Sequence, residues 1–474
     1  MIKYFLFALG VHLAVCDYAK YAEFIINQAE NDTFVRLFAE HVKLFQDDDS
    51  QVKPKAGLEF PCQKFVGPAR RSTTVHNLQP TDVKVVGALG DSITAGTGIK
   101  AKTVIGLLKQ DRGLSWSVGG DKSIVEDETL PNMMKVYNPE VRGFSKGWGP
   151  VWLESVSHLN LANPGDVSED IPAQAVKLVD RMKADKTINF QEDWKVITLF
   201  IGGNDLCSYC EDKSKYSAES YVANIKTALD YLHANVPRTF VNLVQILDVA
   251  MVKNLNAGFI CSTLHRFLCD CAAFPANAEA EAELVAETQR YRDLTQALVD
   301  TGRYDTRDDF TVIVQPFFTA TSPPLKAGTN EIDLSYFSPD CFHLSEKGHR
   351  AAADGLWNNM IEPVAAKRRS WTPGELVECP SSAHPYFYTY KNSNTAQAQR
   401  SANGNFAAKL NTQTGNTHNT KTGSSSTSAA TVSIVAVAMV CIVLALVGAL
   451  VWRRVKKSER IVLWRQPGSE YNKI

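Results

Sequence analysis

Five short apolar runs recur through the middle of the chain, with helix-like stretches between or after them, and this alternation constrains the fold most. The runs are rich in β-branched residues and are bounded by turn residues, as buried strands are. Strands that alternate with helices predict a parallel sheet with helices on both faces. The predicted strands are Val83–Leu89, Val156–Ala162, Val196–Ile201, Thr239–Leu247 and Thr311–Phe317.

Four helices are predicted from apolar periodicity and from residues that favour helix starts. Pro172 stands at a plausible first helical position, and Ser217 is a candidate N-cap. We therefore expect an α/β fold in three layers, with a central parallel sheet of about five strands in a flavodoxin-like order. The predicted helices are Pro172–Ala184, Ser217–Asn235, Ala276–Gly302 and Ser345–Lys367.

The two ends of the chain have the composition of targeting segments. Residues 1–16 combine an early Lys, an apolar run and small residues before a cleavage site, which predicts a secretory signal peptide. Residues 429–452 are uncharged and long enough, at about 36 Å as a helix, to cross a bilayer. Arg and Lys residues follow at once, so the positive-inside rule places the tail, 453–474, in the cytoplasm. The sequence thus predicts a single-pass type I protein of the plasma membrane.

Between these ends we expect an N-terminal extension, a main domain and a stalk. The extension is 17–80, the main domain is 81–367, and 368–428 is a C-terminal extension that becomes a Ser/Thr-rich stalk. In the N-terminal extension, Asn31 begins an Asn-Asp-Thr glycosylation acceptor and should be exposed. Residues with helical spacing form one apolar face that we expect to pack on the main domain, and they are Phe34, Leu37, Phe38, Val42 and Phe45.

Charge and cysteine content limit the classes of function. The formal net charge is −1, so no basic field indicates a nucleic-acid partner. An even number of cysteines in an oxidising compartment predicts disulfides, although the spacing leaves their pairing open. A redox or zinc site at Cys207 and Cys210, and a metal site that includes His265, are the alternatives. The eight cysteines are Cys62, Cys207, Cys210, Cys261, Cys269, Cys271, Cys341 and Cys379.

A long insertion, Ile99–Pro150, separates the first two predicted strands and contains several aromatic residues. Long insertions on a rigid scaffold are often binding loops or lids. The alternative is that Trp116, Phe144 and Trp148 fill a small satellite core. The sequence favours neither.

Five residues at strand ends or helix starts form a candidate catalytic group. Ser92 follows the first strand, where open α/β sheets place their sites, although a strand that ends in a helix N-cap is the plainer interpretation. His343 is the candidate base for a serine hydroxyl, and Asp340, three residues earlier, can orient the imidazole. The N–H groups of Ser92 and Gly165 and the side-chain amide of Asn204 are candidate donors to an oxyanion.

These residues and the stretches around them resemble the GDSL, or SGNH, hydrolase superfamily, and within it the membrane-associated phospholipase B family. The motif here ends in Ile93 instead of Leu, and this chain has one copy of a unit that the mammalian member carries in tandem. The resemblance assigns the nucleophile to Ser92, the triad to Ser92, Asp340 and His343, and the oxyanion hole to Ser92, Gly165 and Asn204. The stretches are GDSITAGTG, GLSWSVGGD, LNLANPGDVSEDIPAQA, FIGGNDLCSYC, FSPDCFHLSEKGH and LWNNMIEPV.

The resemblance implies a calcium-independent serine esterase, without metal or cofactor, that removes acyl chains from glycerophospholipids and lysophospholipids. Retinyl and glyceryl esters are further substrates that it suggests. The alternatives are a non-catalytic receptor or adhesion protein on the same fold, and an esterase of acetylated carbohydrate. The oligomeric state, the acyl position and the headgroup preference stay open.

Ser145 is a rival nucleophile, because Gly143–Gly147 matches the Gly-x-Ser-x-Gly pattern. That pattern requires a strand before the serine and a helix after it, and neither is predicted here. His349 is a rival base, but on the predicted helix it faces away from Asp340, so helix packing is its expected role.

The two serines can be separated by substitution. We expect Ser92→Ala to abolish hydrolysis of a soluble test ester, because the attacking oxygen is lost, and Ser145→Ala to leave it intact. The measurement is the rate of ester hydrolysis by each variant beside the unmodified chain. Loss of hydrolysis in folded Ser145→Ala, with Ser92→Ala active, would reverse the assignment.

Overall fold

The structure is a computed structural model that describes residues 16–46, 60–62, 71–371, 374–375 and 377–393 of the 474-residue chain. Four strands form the sheet: β1 (Val83–Gly90), β2 (Trp194–Phe200), β3 (Thr239–Val244) and β4 (Phe310–Gln315). The helices are α1 (Cys16–Gln28), α2 (Asp32–Val42), α3 (Ser92–Ala95), α4 (Leu130–Tyr137), α5 (Glu154–Ser157), α6 (Ile171–Ala184), α7 (Gly203–Cys207), α8 (Ala218–Asn235), α9 (Phe259–Leu268), α10 (Asp270–Ala273), α11 (Ala278–Asp300) and α12 (Glu346–Met360).

The four strands are parallel and lie in the order β1-β2-β3-β4. Every residue of β2, β3 and β4 is buried. Because successive side chains point to opposite faces, both faces of this sheet are covered. Helices α6, α8 and α11 contact one another in that order, and α12 contacts β4 and α4. The predicted α/β fold with a central parallel sheet is confirmed.

The predicted strand Val156–Ala162 is the main difference from expectation. The chain there forms α5 and then a single parallel bridge between Asn160 and Ala88 of β1. On its other side, the carbonyls of Asn160 and Ala162 accept hydrogen bonds from the buried guanidinium of Arg112 at 3.2 and 2.8 Å. The segment borders β1 opposite β2, which is where a flavodoxin-like order places the second strand. On the β1 side, the N–H of Gly90, which would continue the ladder, donates instead to Oε1 of Gln174 at 2.9 Å, so the pairing ends after one bridge.

The other predicted elements are present with shifted ends. β3 ends at Val244 instead of Leu247, and α12 ends at Met360 instead of Lys367. The predicted cap Ser217 accepts from the N–H of Ser220, and Ser345 caps α12 in the same way. Lys367 folds back, and its Nζ donates to the carbonyl of Asn359 at the end of α12.

The N-terminal segment packs on the main domain, as its apolar face predicts. Phe34, Phe38 and Val42 are buried with residues from the 101–107 region and α9, whereas Leu37 is 48% exposed. Asn31 is exposed, and its side-chain oxygen accepts from the N–H groups of Thr33 and Phe34 at the start of α2.

Aromatic residues of the 99–150 insertion divide between the two expected roles. Trp116 is fully buried and packs edge-on against Phe200 and Phe317. Trp148 is 63% exposed. Thus Trp116 belongs to the core beside the sheet, and only the end of the insertion presents an aromatic surface.

All eight cysteines between the predicted signal peptide and span are paired. The pairs are non-local, so neither Cys207 with Cys210 nor Cys269 with Cys271 forms a redox or metal pair. The predicted disulfides are confirmed, and the alternatives are wrong. The bonds are Cys62–Cys379, Cys207–Cys269, Cys210–Cys271 and Cys261–Cys341.

Most of the targeting predictions lie outside the described residues. These are the signal peptide apart from Cys16, where α1 begins, most of the stalk, the span 429–452 and the tail. Among the residues that the structure describes, none of the helices has both the length and the apolar character to cross a bilayer.

Substitutions at Phe38 and at Leu37, both on α2, test how much the N-terminal segment contributes to stability. We expect Phe38→Ala to lower the free energy of unfolding by about 3–5 kcal/mol, because the ring is 1% exposed and leaves a cavity. Leu37→Ala on the same helix should change it by less than about 0.5 kcal/mol. Urea unfolding of the full chain measures both. Equal effects would show that α2 is not packed through this face.

Candidate active site

Ser92 and Asn204 are brought together by the register of neighbouring strands. Gly90, the last residue of β1, pairs with Phe200, the last residue of β2. The turns that follow these strands are therefore adjacent at the carboxyl edge of the sheet. The approach is close, since a Cβ atom at Gly90 would lie 2.5 Å from the carbonyl oxygen of Phe200. Glycine at this position therefore allows the two turns to meet.

Ser92 is the first residue of α3 and is 3% exposed. The preceding Asp91 caps this short helix, and its Oδ1 accepts from the N–H of Ile93 at 3.0 Å. The Asp of the motif thus fixes the turn, while the serine starts the helix.

Gly165 lies on a loop that is bonded to both of these turns. The N–H of Asn163 donates to the carbonyl of Gly90 at 3.1 Å, and the Nδ2 of Asn204 donates to the carbonyl of Asp166 at 2.9 Å. Gly165 has a φ of +85°, a conformation that favours glycine. Because Nδ2 carries two hydrogens, Asn204 retains a second donor beyond this bond.

Asp340 and His343 form a buried pair. The Nδ1 of His343 donates to Oδ2 of Asp340 at 2.6 Å, and the two side chains are 1% and 0% exposed. Oδ1 of Asp340 accepts from the N–H groups of Phe342 and His343 at 3.1 and 2.9 Å. Burial alone would raise the pKa of Asp340, but these donors and the charge of His343 hold it below the usual range. The carboxylate therefore fixes both the tautomer and the orientation of the imidazole.

The Nε2 of His343 is the atom that would accept the proton of Ser92. It is buried and forms no hydrogen bond in the described part of the chain, including with Ser92. His343 lies near the motif, because its neighbours Phe342 and Leu344 line the same cavity as Asp91. Nε2 is thus available to accept a proton, but its hydrogen bond with Ser92 is not formed in this structure.

Three contacts from two helices outside the catalytic motif, α2 and α9, hold the loop that carries this pair. The Nε2 of His41, on α2, donates to the carbonyl of Pro339 at 2.9 Å. The Nε2 of His265, on α9, donates to the carbonyl of Cys341 at 3.0 Å, and Cys341 is also bonded to Cys261. Sequence reasoning missed His41 and considered His265 only as a metal ligand, because neither contact is local in the chain.

Two buried carboxyl groups, Asp91 and Asp205, and the half-buried Asp166 lie at the turns of Ser92 and Asn204. Burial raises the pKa of Asp91 and of Asp166 to about 7, and that of Asp205 to about 6. Asp205 also accepts from the N–H of Ser168 through both oxygens, at 3.1 and 3.0 Å. At acidic pH these carboxyl groups are therefore mostly protonated, and they bond the loops while carrying little negative charge.

An apolar cleft adjoins the site, and we call it the apolar cavity. Its border includes Asp91, Gly203, Phe342 and Leu344, each of which is next in sequence to a candidate site residue. Such a lining suits a hydrocarbon chain better than a sugar. Apolar residues form most of the wall and include Ile246, Leu247, Val249, Met251, Val252, Leu255, Phe318 and Trp371.

The rival candidates have structural roles. Ser145 is fully buried, and its Oγ donates to the carbonyl of Arg112 at 2.7 Å. The Nδ1 of His349 accepts from the N–H of Trp116 at 3.2 Å, and burial lowers the pKa of His349 to about 3. Neither residue is placed to act as nucleophile or base.

Comparison with known proteins identifies relatives. The sequence model of the family described as GDSL-like Lipase/Acylhydrolase matches residues 86–356, more than half of this chain. A human protein named phospholipase B1, membrane-associated, is 44% identical over 356 residues, which are 73% of this chain and 24% of that protein. The mouse protein of the same name is 43% identical over 389 residues, 78% of this chain and 26% of its own length. The chain thus spans about a quarter of the length of these curated relatives.

Solved structures show more distant similarity. A lipase from a goat rumen metagenome is 16% identical with a TM-score of 0.30, and the match covers 60% of this chain and 99% of that structure. A GDSL-like protein from Parabacteroides merdae is 17% identical with a TM-score of 0.31, over 58% and 96% of the two chains. These scores are too low to support statements about the site.

The raised pKa of Asp166 makes stability depend on pH. Between the unfolded value of 3.8 and the folded value of about 7, the folded state holds a proton that the unfolded state has lost. This contribution to stability is present below about pH 4 and is lost as the pH rises to about 7. We expect Asp166→Asn to make the fall in unfolding free energy shallower, by up to about 1.4 kcal/mol per pH unit.

Urea unfolding of the full chain at several pH values between 4 and 7 measures this slope. The exposed Asp212→Asn is the control and should leave the slope unchanged. Identical slopes for Asp166→Asn and the unmodified chain would contradict the account.

Proposed function

Because the chain belongs to the GDSL-like lipase/acylhydrolase family, we propose that it is a serine esterase that removes fatty acids from glycerophospholipids and lysophospholipids. The observation that supports this substrate class most directly is the apolar cavity beside the turns of Ser92 and Asn204. An acyl chain in this cavity would bring its ester carbonyl to the carboxyl edge of the sheet. The named relatives, of which the chain matches a quarter, agree with this chemistry.

The first half of the proposed reaction acylates Ser92. The hydroxyl of Ser92 attacks the ester carbon while Nε2 of His343 takes its proton, and the Asp340 carboxylate stabilises the resulting imidazolium. The N–H groups of Ser92 and Gly165 and the free Nδ2 hydrogen of Asn204 bind the oxyanion. Collapse of the intermediate releases the glycerol oxygen, which receives the proton from His343.

The second half releases the fatty acid. Water loses a proton to Nε2 of His343 and attacks the acyl-serine, and the same donors bind the second oxyanion. Collapse of this intermediate returns the proton to Ser92 and frees the acid. The buried hydrogen bond of 2.6 Å between Asp340 and His343 holds the imidazole in the tautomer and orientation in which Nε2 can accept and return a proton in both halves of the reaction.

We further propose that the catalytic domain is extracellular, glycosylated at Asn31 and tethered by a type I span. The exposed position of Asn31 and the four disulfides fit an oxidising compartment. The charge asymmetry around residues 429–452 supports the orientation.

The test of the proposed function is fatty-acid release from phosphatidylcholine and from lysophosphatidylcholine by the full chain. We expect release from both, and a loss of at least about a thousandfold in Ser92→Ala, because the nucleophile is removed. Acetate release from an acetylated sugar, measured in parallel, should be weak. A folded chain that cleaves only the sugar ester, or neither substrate, would contradict the proposal.

The cavity predicts selectivity for long acyl chains. Met251 lines it and is half-buried, so Met251→Trp should narrow it without overpacking the core. We expect hydrolysis of a palmitoyl ester to fall at least about tenfold, while a butyryl ester is cleaved at nearly the original rate.

The readout is kcat/KM for both esters. Val125→Trp, at a position that is 58% exposed and outside the cavity, is the matched control and should change neither. An equal fall for both esters in Met251→Trp would show that the acyl chain binds elsewhere.

A further inference from the structure

A second cavity, of about 330 Å³, lies between α11, the end of β4 and residues 364–369. It lies near the carboxyl ends of β3 and β4, whereas Ser92 and Asn204 follow β1 and β2. The two cavities have no lining residue in common among the described residues. The proposed esterase chemistry gives this second cavity no role.

Arg292 lines the second cavity as a buried cation without a carboxylate partner. The residue is 8% exposed, and its Nε donates to the carbonyl of Ile246 at 2.9 Å. Its Nη2 is buried and has no hydrogen-bond partner in the part of the chain that the structure describes. A guanidinium stays protonated in proteins, so a buried guanidinium with an open donor is costly unless an anion reaches it.

Lys367 is a second buried cation on the same cavity. It is 9% exposed, and its Nζ donates only to main-chain carbonyls, those of Asn359 and Glu362. Burial lowers the pKa of Lys367 to about 7, and the nearby charge of Glu362 opposes this fall. No ion pair within the described residues includes Arg292 or Lys367.

Charged groups of both signs surround the cavity. Arg369 supplies a third cation at the exposed edge, where its Nε donates to Thr319 at 3.1 Å. Two carboxylates also line the cavity, and each accepts from a glutamine on α11: Asp293 from Gln289 at 2.8 Å and Asp300 from Gln296 at 2.9 Å. Two further carboxylates, Asp248 and Glu362, lie near Arg292 and Lys367 respectively, but within the described residues neither forms an ion pair with them.

We propose that this cavity binds a small oxyanion, namely the phosphate group of free phosphate or of a glycerophosphodiester, through Arg292, Lys367 and Arg369. Guanidinium groups suit phosphate because their parallel N–H donors match two of its oxygens. A bound anion would also give the buried Nη2 of Arg292 the acceptor that the described residues do not provide. The proposal does not depend on the esterase activity.

Isothermal titration calorimetry of the full chain, with inorganic phosphate and separately with glycerophosphocholine, tests whether the cavity binds a phosphate group. It also tests which of the two ligands supplies that group. We expect millimolar or tighter binding of at least one. Arg292→Met should weaken it at least about tenfold, because a charged hydrogen-bond donor is lost. Tighter binding of phosphate supports free phosphate as the ligand, and tighter binding of the diester supports a lipid headgroup or its product.

The variant itself should fold, because Met removes a buried charged group that has an unsatisfied donor. Its unfolding midpoint in phosphate-free buffer should equal or exceed that of the unmodified chain. Arg369→Gln, at the exposed edge, is a second variant that should weaken binding without disturbing the core. Arg266→Gln, 58% exposed and outside the cavity, is the matched control and should bind as the unmodified chain does.

Absence of binding by the unmodified chain would overturn the proposal. Equal affinity in the unmodified chain and in both Arg292→Met and Arg369→Gln would overturn it as well.

Discussion

The hydrogen bond between Asp340 and His343 is made in nearly complete burial, and much of the surrounding structure serves to hold it. A buried carboxylate is costly unless donors surround it, and here one ring N–H and two main-chain N–H groups do so. The loop must therefore keep one conformation. Contacts from distant parts of the chain hold it, and these are His41, His265, the bond Cys261–Cys341 and the hydrogen bond from Ser338 to Gly98. Because His41 lies outside residues 86–356, the segment before the family's domain is structurally part of the site.

At Asp340 the surroundings stabilise a negative charge, whereas around Ser92 negative charge is unfavourable. Asp91, Asp166 and Asp205 are needed as acceptors for the loops, yet negative charge beside Ser92 would oppose an oxyanion there. Burial raises the pKa values of these carboxyl groups to about 7, 7 and 6, so that all three carry little charge below these values. Below about pH 6 the same groups therefore order the loops while adding little negative charge beside the serine.

The sequence predicted those features of the fold that local sequence patterns determine. The apolar runs of β1, β2 and β4 mark buried strands, and the carboxyl ends of parallel strands share an edge, so Ser92 and Asn204 were expected to be neighbours. It did not predict contacts that depend on remote residues. The strand at Val156–Ala162 is curtailed because the side chain of Gln174 takes the N–H of Gly90, and the partner of Cys341 is a cysteine on α9. The catalytic roles stay predictions. They are supported by the position of the loops that carry these residues, which are Ser92, Gly165, Asn204, Asp340 and His343.

The central claim is that these loops meet around the oxygen of Ser92. A crystal structure of the full chain after reaction with a long-chain alkylphosphonate tests it most directly. The account predicts phosphorus bonded to Ser92, with a phosphonyl oxygen about 2.7–3.1 Å from the N–H of Gly165 and Nδ2 of Asn204, and Nε2 of His343 turned to the serine oxygen. Phosphorus on another residue, or an imidazole of His343 that stays beyond hydrogen-bond reach of Ser92 in the adduct, would contradict it.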